Sequence, residues 1–208
     1  MDQKAIQAVY DNTKLHLEND KFLVSLGGEH TISVGVFKAF KEKYPNLSIL
    51  QIDAHADLRD SFEGNSLSHA SVMARINSHH PKICQVGIRA LCKEEASFID
   101  NAKNITTIFA HELRDQGLMD KILNGLGDQV YITVDADGFD PSVMPAVGTI
   151  EPGGIKWFDA LKIFKEVCKN KDVVGFDIVE CAPRRGEVQT QYNLAQLVYK
   201  LIGYSLCQ

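Results

Sequence analysis

Six short runs of apolar residues punctuate the chain, at 22–27 (FLVSLG), 48–53 (SILQID), 83–88 (ICQVGI), 105–109 (ITTIF), 130–135 (VYITVD) and 173–179 (VVGFDIV). They are apolar on both faces, the pattern of strands covered by helices on either side of a sheet. Longer stretches between them read as helices, at 2–17, 31–43, 68–78, 92–101, 118–126, 156–170 and 193–206. In the first of these Asp2 can cap a helix that turns Ile6, Val9 and Tyr10 inward, and 156–170 carries Phe158, Leu161, Ile163, Phe164 and Val167. Strand–helix alternation predicts an α/β fold, doubly wound and three-layered (α/β/α), over a mainly parallel sheet of about six strands. No repeat or low-complexity linker divides the chain, and the Gly- and Pro-rich stretch 138–154 reads as a loop, so residues 1–208 are expected to form a single domain.

Composition narrows the function classes. With 208 residues, 45% hydrophobic and 24% charged, the chain can bury one sizeable core. Lys+Arg 22 against Asp+Glu 27 leaves a net charge of −5, which lacks the basic footprint of a nucleic-acid binder and disfavours docking on anionic lipid. No apolar run approaches the roughly 18 residues of a spanning helix, and the opening MDQKAIQAVYDN shows no signal-peptide pattern. Five cysteines (84, 92, 168, 181 and 207) stand apart and never in CxxC spacing. That suits a reducing cytoplasm and argues against a disulfide framework or thiolate zinc.

Candidate chemistry gathers at strand ends. The run 22–27 leads into Gly28-Glu29-His30, 48–53 into Ala54-His55-Ala56-Asp57, 130–135 into Ala136-Asp137, and 173–179 into Glu180. In an open parallel sheet the ligand crevice lies outside the carboxyl ends of the strands, so these clusters should converge on one rim. In DAHAD (53–57) three potential metal ligands stand at i, i+2 and i+4, a period that puts them on one side of an extended chain, and DAD (135–137) repeats the spacing. A lone Asp after a strand more often caps a helix or forms a turn. Four such clusters at four strand ends are another matter. With His30 the set is two His and four Asp, suited to Mn²⁺, Mg²⁺ or Fe²⁺. Counting Glu180, five carboxylates on one rim need cations to offset their repulsion, and two metals about 3.5–4 Å apart would use the ligands naturally. His16, His79, His80 and His111 lack acidic partners at ligand spacing and read as surface or packing residues, and Cys181 as a small apolar one.

The segments LGGEH (26–30), IDAHAD (52–57), VDADGFDPSVMPAVGTIEPGG (134–154) and DIVECAP (177–183) resemble, in order and spacing, those of the ureohydrolase family of arginases and agmatinases. The resemblance implies an arginase-like α/β fold with a centre of two Mn²⁺ per chain. By residue it implies His30, Asp53, Asp57 and Asp135 on one metal and Asp53, His55, Asp135 and Asp137 on the other, bridged by Asp53 and Asp135. It implies Glu180 as partner of the substrate guanidinium, Thr149 as a hydroxyl near the leaving group, and Asp177 as an acid holding a metal-ligating His. Activity would be attack of a metal-bridging hydroxide on the guanidinium, with Asp57 aligning the hydroxide. A planar guanidinium favours a coplanar carboxylate such as Glu180. The leaving amine needs a proton donor near pH 7, for which His69, in an SHA segment similar to that of agmatinases, is the candidate.

The loop 58–69 (LRDSFEGNSLSH) carries Asp60 and Glu63. An acidic mouth suits agmatine, whose far end is an ammonium, better than arginine with its carboxylate. The expected reaction is therefore agmatine to putrescine and urea, a step of polyamine biosynthesis. Within the class the alternatives are a guanidinobutyrase or arginase type, and a metal-binding but inactive relative. A two-metal phosphoesterase could use the same ligands, yet only Arg59 stands at the metal loops to clamp phosphate. The resemblance suggests a homo-oligomer, trimer or hexamer, in the cytoplasm, with no nucleic-acid or membrane partner. It also places a further segment before the GGEH strand, with two more strands. Without it, 22–27 is expected at a sheet edge in the order 22–27, 173–179, 130–135, 48–53, 83–88, 105–109. That edge is apolar and unguarded, to be covered by the first helix or another subunit.

Overall fold

The computed structural model of the protein describes residues 2–207. Helix α1 (Gln3–Leu17) begins where the Asp2 carboxylate accepts the Ala5 N–H at 2.8 Å. There follow β1 (Leu23–Leu26), α2 (Ile32–Lys43), β2 (Ser48–Ile52), α3 (Val72–Asn77), β3 (Ile83–Ile88), α4 (Lys93–Asn101), β4 (Ile105–Phe109), α5 (Leu118–Gly125), β5 (Gln129–Asp135), α6 (Trp157–Asn170), β6 (Asp172–Val179) and α7 (Gln189–Leu206).

The six strands form one sheet, all neighbours parallel, in the order β1-β6-β5-β2-β3-β4. This is the order the family resemblance implied. Successive residues of a strand feed opposite layers. Leu50, Val130 and Ile132 pack with Phe164, Leu197 and Leu201 of α6 and α7. Ile49 and Tyr131 pack with Ile6, Phe37 and Phe40 of α1 and α2. Burial on both faces explains why the strands read as mainly apolar runs without polar alternation.

Two helix boundaries differ from the sequence pattern. The stretch 68–78 is a short 3₁₀ turn, His69–Ser71, followed by only six residues of α3, because Ser68 spends its hydroxyl on the Ala70 N–H and bends the entry. The last helix starts four residues earlier than 193, at Gln189.

Strand β1 has four residues, pairs only with β6, and leaves Leu26 71% exposed. Helix α1 lies along α2, with Tyr10 and Lys14 bonded to Glu42. Val188 and, on α7, Tyr192, Ala195, Tyr199, Ile202 and Leu206 line an exposed apolar stripe at spacings of three and four. Among the described residues no helix is long and apolar enough to cross a membrane.

Candidate metal centre

The carboxyl ends of β1, β2, β5 and β6 lie side by side in the middle and at one edge of the sheet, and the predicted ligands come from the turns that follow them. Two of these turns share a geometry. The Asp53 carboxylate accepts the His55 N–H at 2.7 Å, and the Asp135 carboxylate accepts the Asp137 N–H at 2.9 Å. Each is an Asx turn that folds a D-A-X tripeptide so that residues i and i+2 face one point. The two turns pack backbone to backbone: a Cβ on Gly138 would lie 2.7 Å from the Asp53 nitrogen, so only glycine fits after Asp137. Asp57 and Glu180 both hold positive φ (53° and 61°). Non-glycine residues rarely adopt that backbone, and it is typical of functional sites.

His30, Asp53 and Asp57 bring one ligand atom each within 4.8 Å of one another, and so do Asp53, His55 and Asp137. Asp53 is common to both groups. Asp135 stands beside the first, its Oδ2 lying 3.3 Å from His30 Nδ1. The geometry therefore collects all six predicted ligands.

The electrostatics are those of crowded buried charge. For His30, burial alone would disfavour the cation, but Asp135, Asp53 and Asp57 outweigh it and raise its pKa. His55 is opposed by burial and raised by Asp137 and Asp53 to about 11. Burial and the neighbouring Asp53 charge push Asp57 up to about 8, and burial with the charges of Asp53 and Asp137 raises Asp135. Asp53 alone is held low, burial being overcome by the two imidazoles.

A divalent cation fits this donor set. His30 Nδ1 is buried and 3.1–3.4 Å from oxygens of Asp57, Asp135 and Asp53, yet hydrogen-bonds none of them. Its other nitrogen, Nε2, lies 2.9 Å from Thr133 Oγ1, and that hydroxyl gives its only proton to Asp177 Oδ1 at 2.6 Å. Thr133 can then only accept from His30, so in the neutral imidazole, the form that ligates a cation, the proton stands on Nε2 and the Nδ1 lone pair faces the carboxylates. This corrects the expectation for Asp177. It does not hydrogen-bond His30 directly but reaches it through Thr133, because the strand pair β5·β6 sets Thr133 beside Asp177. Asp177 also accepts from the Tyr131 hydroxyl at 2.9 Å. Thr133 stands two residues before Asp135, so the period of a strand could have pointed to it.

A cavity of about 760 Å³ opens over the cluster and is lined by His55, Asp57, His69, Asp135, Asp137, Thr149 and Glu180, among others. Glu180 Oε1 accepts the His30 N–H at 2.6 Å, and burial raises its pKa against that hydrogen bond. The Thr149 hydroxyl donates to Asp137 Oδ2 at 2.7 Å. His69 is half-exposed at the rim, its Nδ1 3.8 Å from Glu29. Glu63 does not line this cavity. It lines an adjoining one of about 480 Å³ with Glu29, and Phe62 and His69 border both. Asp60 points to solvent and pairs with Arg75 at 2.7 Å.

Sequence patterns missed Arg89. Its guanidinium donates to the carbonyls of Gly87 (2.9 Å), Asp137 (2.6 Å) and Glu151 (2.9 Å), tying the loop after β5 to the end of β3. Gly154 makes room for the turn and the clamp, since a Cβ there would lie 2.6 Å from Asp140 N and Phe139 C and 2.7 Å from Arg89 Nη2. The other cation of the cavity, Arg59, sits 3.6 Å from Glu95. Both arginines are thus engaged by the protein, which disfavours a phosphate clamp.

A doubly wound parallel sheet carrying a buried carboxylate–imidazole cation centre at its carboxyl rim defines the class of this protein. Its residues 1–203 match the arginase family, and the chain belongs to that family. It is 41% identical over 202 residues to a protein named N(1)-aminopropylagmatine ureohydrolase from Synechocystis sp., an alignment covering 96% of this chain and 66% of that one. It is 36% identical over 204 residues to a protein of the same name from Thermus thermophilus, covering 98% and 69%. The agmatine ureohydrolase of Thermoplasma volcanium superposes with a TM-score of 0.86 at 31% identity, over 98% of this chain and 69% of that one. Arginase from Medicago truncatula gives 0.85 at 32% identity, over 99% and 67%. The chain spans about two thirds of the length of the curated relatives it matches. Family and cluster together imply a divalent cation.

Proposed function

We propose that the protein hydrolyses a guanidino compound, agmatine in the first place, to urea and an amine at a centre of two Mn²⁺. The observation that carries this is the pair of overlapping His/Asp groups sharing Asp53, with Glu180 on the rim of the same cavity. In this reading His30, Asp53, Asp57 and Asp135 hold one cation and Asp53, His55, Asp135 and Asp137 the other. Bound there, two divalent cations lower the pKa of water enough to supply a strong nucleophile at neutral pH.

The chain's own residues do the rest. Glu180 binds the guanidinium in its plane and orients its carbon toward the cluster. Asp57 aligns the attacking water by accepting a hydrogen bond from it. Water gives up one proton as it adds to the guanidinium carbon. The bond to the substituted nitrogen breaks as His69 delivers a proton to that nitrogen, and the remaining hydroxyl proton is released as the urea carbonyl forms, so that His69 can be reprotonated. Thr149 holds Asp137 at the leaving-group side.

A second reading, a guanidino compound lengthened by an aminopropyl arm, is supported by the relatives named for N(1)-aminopropylagmatine and by the adjoining cavity with Glu29 and Glu63. An ammonium at the end of a longer chain would find those carboxylates. The family resemblance further suggests a homo-oligomer, to be checked by sedimentation. The function is tested on a panel of agmatine, N(1)-aminopropylagmatine, arginine, guanidinobutyrate and a phosphomonoester, read by urea and phosphate release. Urea from agmatine or its aminopropyl derivative, in preference to arginine, is expected. Equal rates on arginine overturn the charge argument, and no urea from any guanidine with both metals loaded favours an inactive relative.

A further inference from the structure

A parallel sheet buried on both faces is ordinarily apolar, yet one level of this sheet is polar from edge to edge. Ser25 stands in register with Asp177, Asp177 with Thr133, Thr133 with Gln51, Gln51 with Gln85, and Gln85 with Thr107, one residue from each strand. Gln51 and Gln85 are fully buried and Thr107 nearly so. The row lies two residues before Asp53 on β2 and two before Asp135 on β5, so it forms the floor directly beneath the candidate ligands.

One half of the row reaches His30 through Thr133, as described above. The other half is a one-way chain of donors. Thr107 Oγ1 donates to Gln85 Oε1 at 2.9 Å. Gln85 Nε2 donates to Gln51 Oε1 at 2.6 Å and to the Ala56 carbonyl at 2.7 Å. Gln51 Nε2 donates to Asp53 Oδ2 at 2.8 Å and to the His55 carbonyl at 3.2 Å. Both protons of each amide are used. Turning either amide over would set its oxygen against a carbonyl or carboxylate, so each has one orientation that satisfies the row. The chain ends on the carboxylate shared by both ligand groups and on two carbonyls of the DAHAD segment.

We propose that Gln85 and Thr107, neither of which hydrogen-bonds a candidate ligand, are positioning residues of the metal centre. Through Gln51 they fix the orientation of the Asp53 carboxylate and the path of the backbone from Asp53 to Asp57. A buried polar chain adds little net stability over an apolar one of the same shape, whereas outer partners of metal ligands govern affinity strongly. The proposal rests on reading the His30–Asp137 cluster as a divalent-cation site.

The test is a calorimetric titration with Mn²⁺ alone, on wild type, Gln85→Met and Thr107→Val, well below each variant's measured melting temperature. Gln85→Met removes both amide donors at similar volume. Thr107→Val trades one hydroxyl for a methyl and keeps the fold should the first variant not fold. Gln85→Met is expected to weaken Mn²⁺ binding by about 10–100-fold and Thr107→Val by less. Wild-type affinity in the folded variants, whatever their melting temperatures, overturns the proposal and leaves the row a packing feature. A wild type that binds no Mn²⁺ overturns the metal-centre reading itself and the proposal with it. Urea release is not part of the readout, so a failure of the substrate assignment is seen separately.

Discussion

At the scale of single residues, the site depends on groups whose removal separates cation binding from chemistry. Asp135→Asn keeps the shape of a ligand but loses its charge, and it is expected to lower Mn²⁺ content by elemental analysis and urea release together. A variant with two tightly bound cations and full turnover would remove Asp135 from the ligand set. His69 is different, since it lies at the cavity rim, half-exposed and in contact with Phe62 rather than with any ligand. As a proton donor to the leaving amine its replacement by Ala should cost on the order of 10²–10⁴ in kcat with cation content unchanged. An unchanged kcat between pH 7 and 9 would return it to the surface histidines. Asp135 was legible in the sequence because potential ligands recur at spacing two, and His69 only through the resemblance of its SHA segment to that of agmatinases. Strand period puts Thr133 on the face of Asp135 but does not give its partners, and Arg89, an arginine after a strand, has no signature until the carbonyls it holds are known.

At the scale of elements, the loop between β5 and α6 holds Asp137 and Thr149 in place by two devices. Arg89 clamps its carbonyls, and Gly154 leaves the space for that clamp. Gly154→Ala should therefore destabilise the fold by about 1–3 kcal/mol through overpacking. It should also depress turnover more than a surface Gly→Ala does, with chemical denaturation and urea release as the two measurements. The second device is Asp140. Burial would raise its pKa, but Lys156 at 2.8 Å and the Ser142 hydroxyl and N–H hold it well below the usual carboxylate range. A group with a depressed folded pKa stabilises the protein above its unfolded value of about 4, and that contribution fades as pH falls through the folded pKa. The melting temperature of wild type should thus exceed that of Asp140→Asn at pH 7, modestly because Lys156 is half-exposed, and the gap should close on acidification below pH 4. A gap that persists undiminished at low pH would show that the charge is not what acts.

At the scale of the whole molecule, the sheet has a strong centre and a weak edge. Strands β5 and β2 are paired on both sides and buried, whereas β1 is short, paired on one side, and exposed at Leu26. His30 lies four residues past β1, so loosening of that edge reaches the cation cluster through one ligand. In a dilute, demonstrably monomeric sample the amides of β1 should exchange hydrogen faster than those of β5. Equal protection would show that the edge is held by contacts beyond its ladder.

The chain by itself determined the α/β class, the six strands and the Asp and His residues that meet at one rim. Mainly apolar runs without polar alternation mark strands covered on both faces, and Asx-forming residues after strands mark the turns where the rim residues sit. Tertiary structure decided what pairing across the sheet decides. It set Thr133 between His30 and Asp177 and moved Glu63 into a neighbouring cavity. It gave Arg89 a set of carbonyls to hold, and brought Gln51, Gln85 and Thr107 to one level beneath Asp53. Periodicity along a strand is local, and a sequence carries it openly. Register between strands far apart in the chain is fixed only when the layers pack, so the residues that orient the ligands become visible only in the folded sheet.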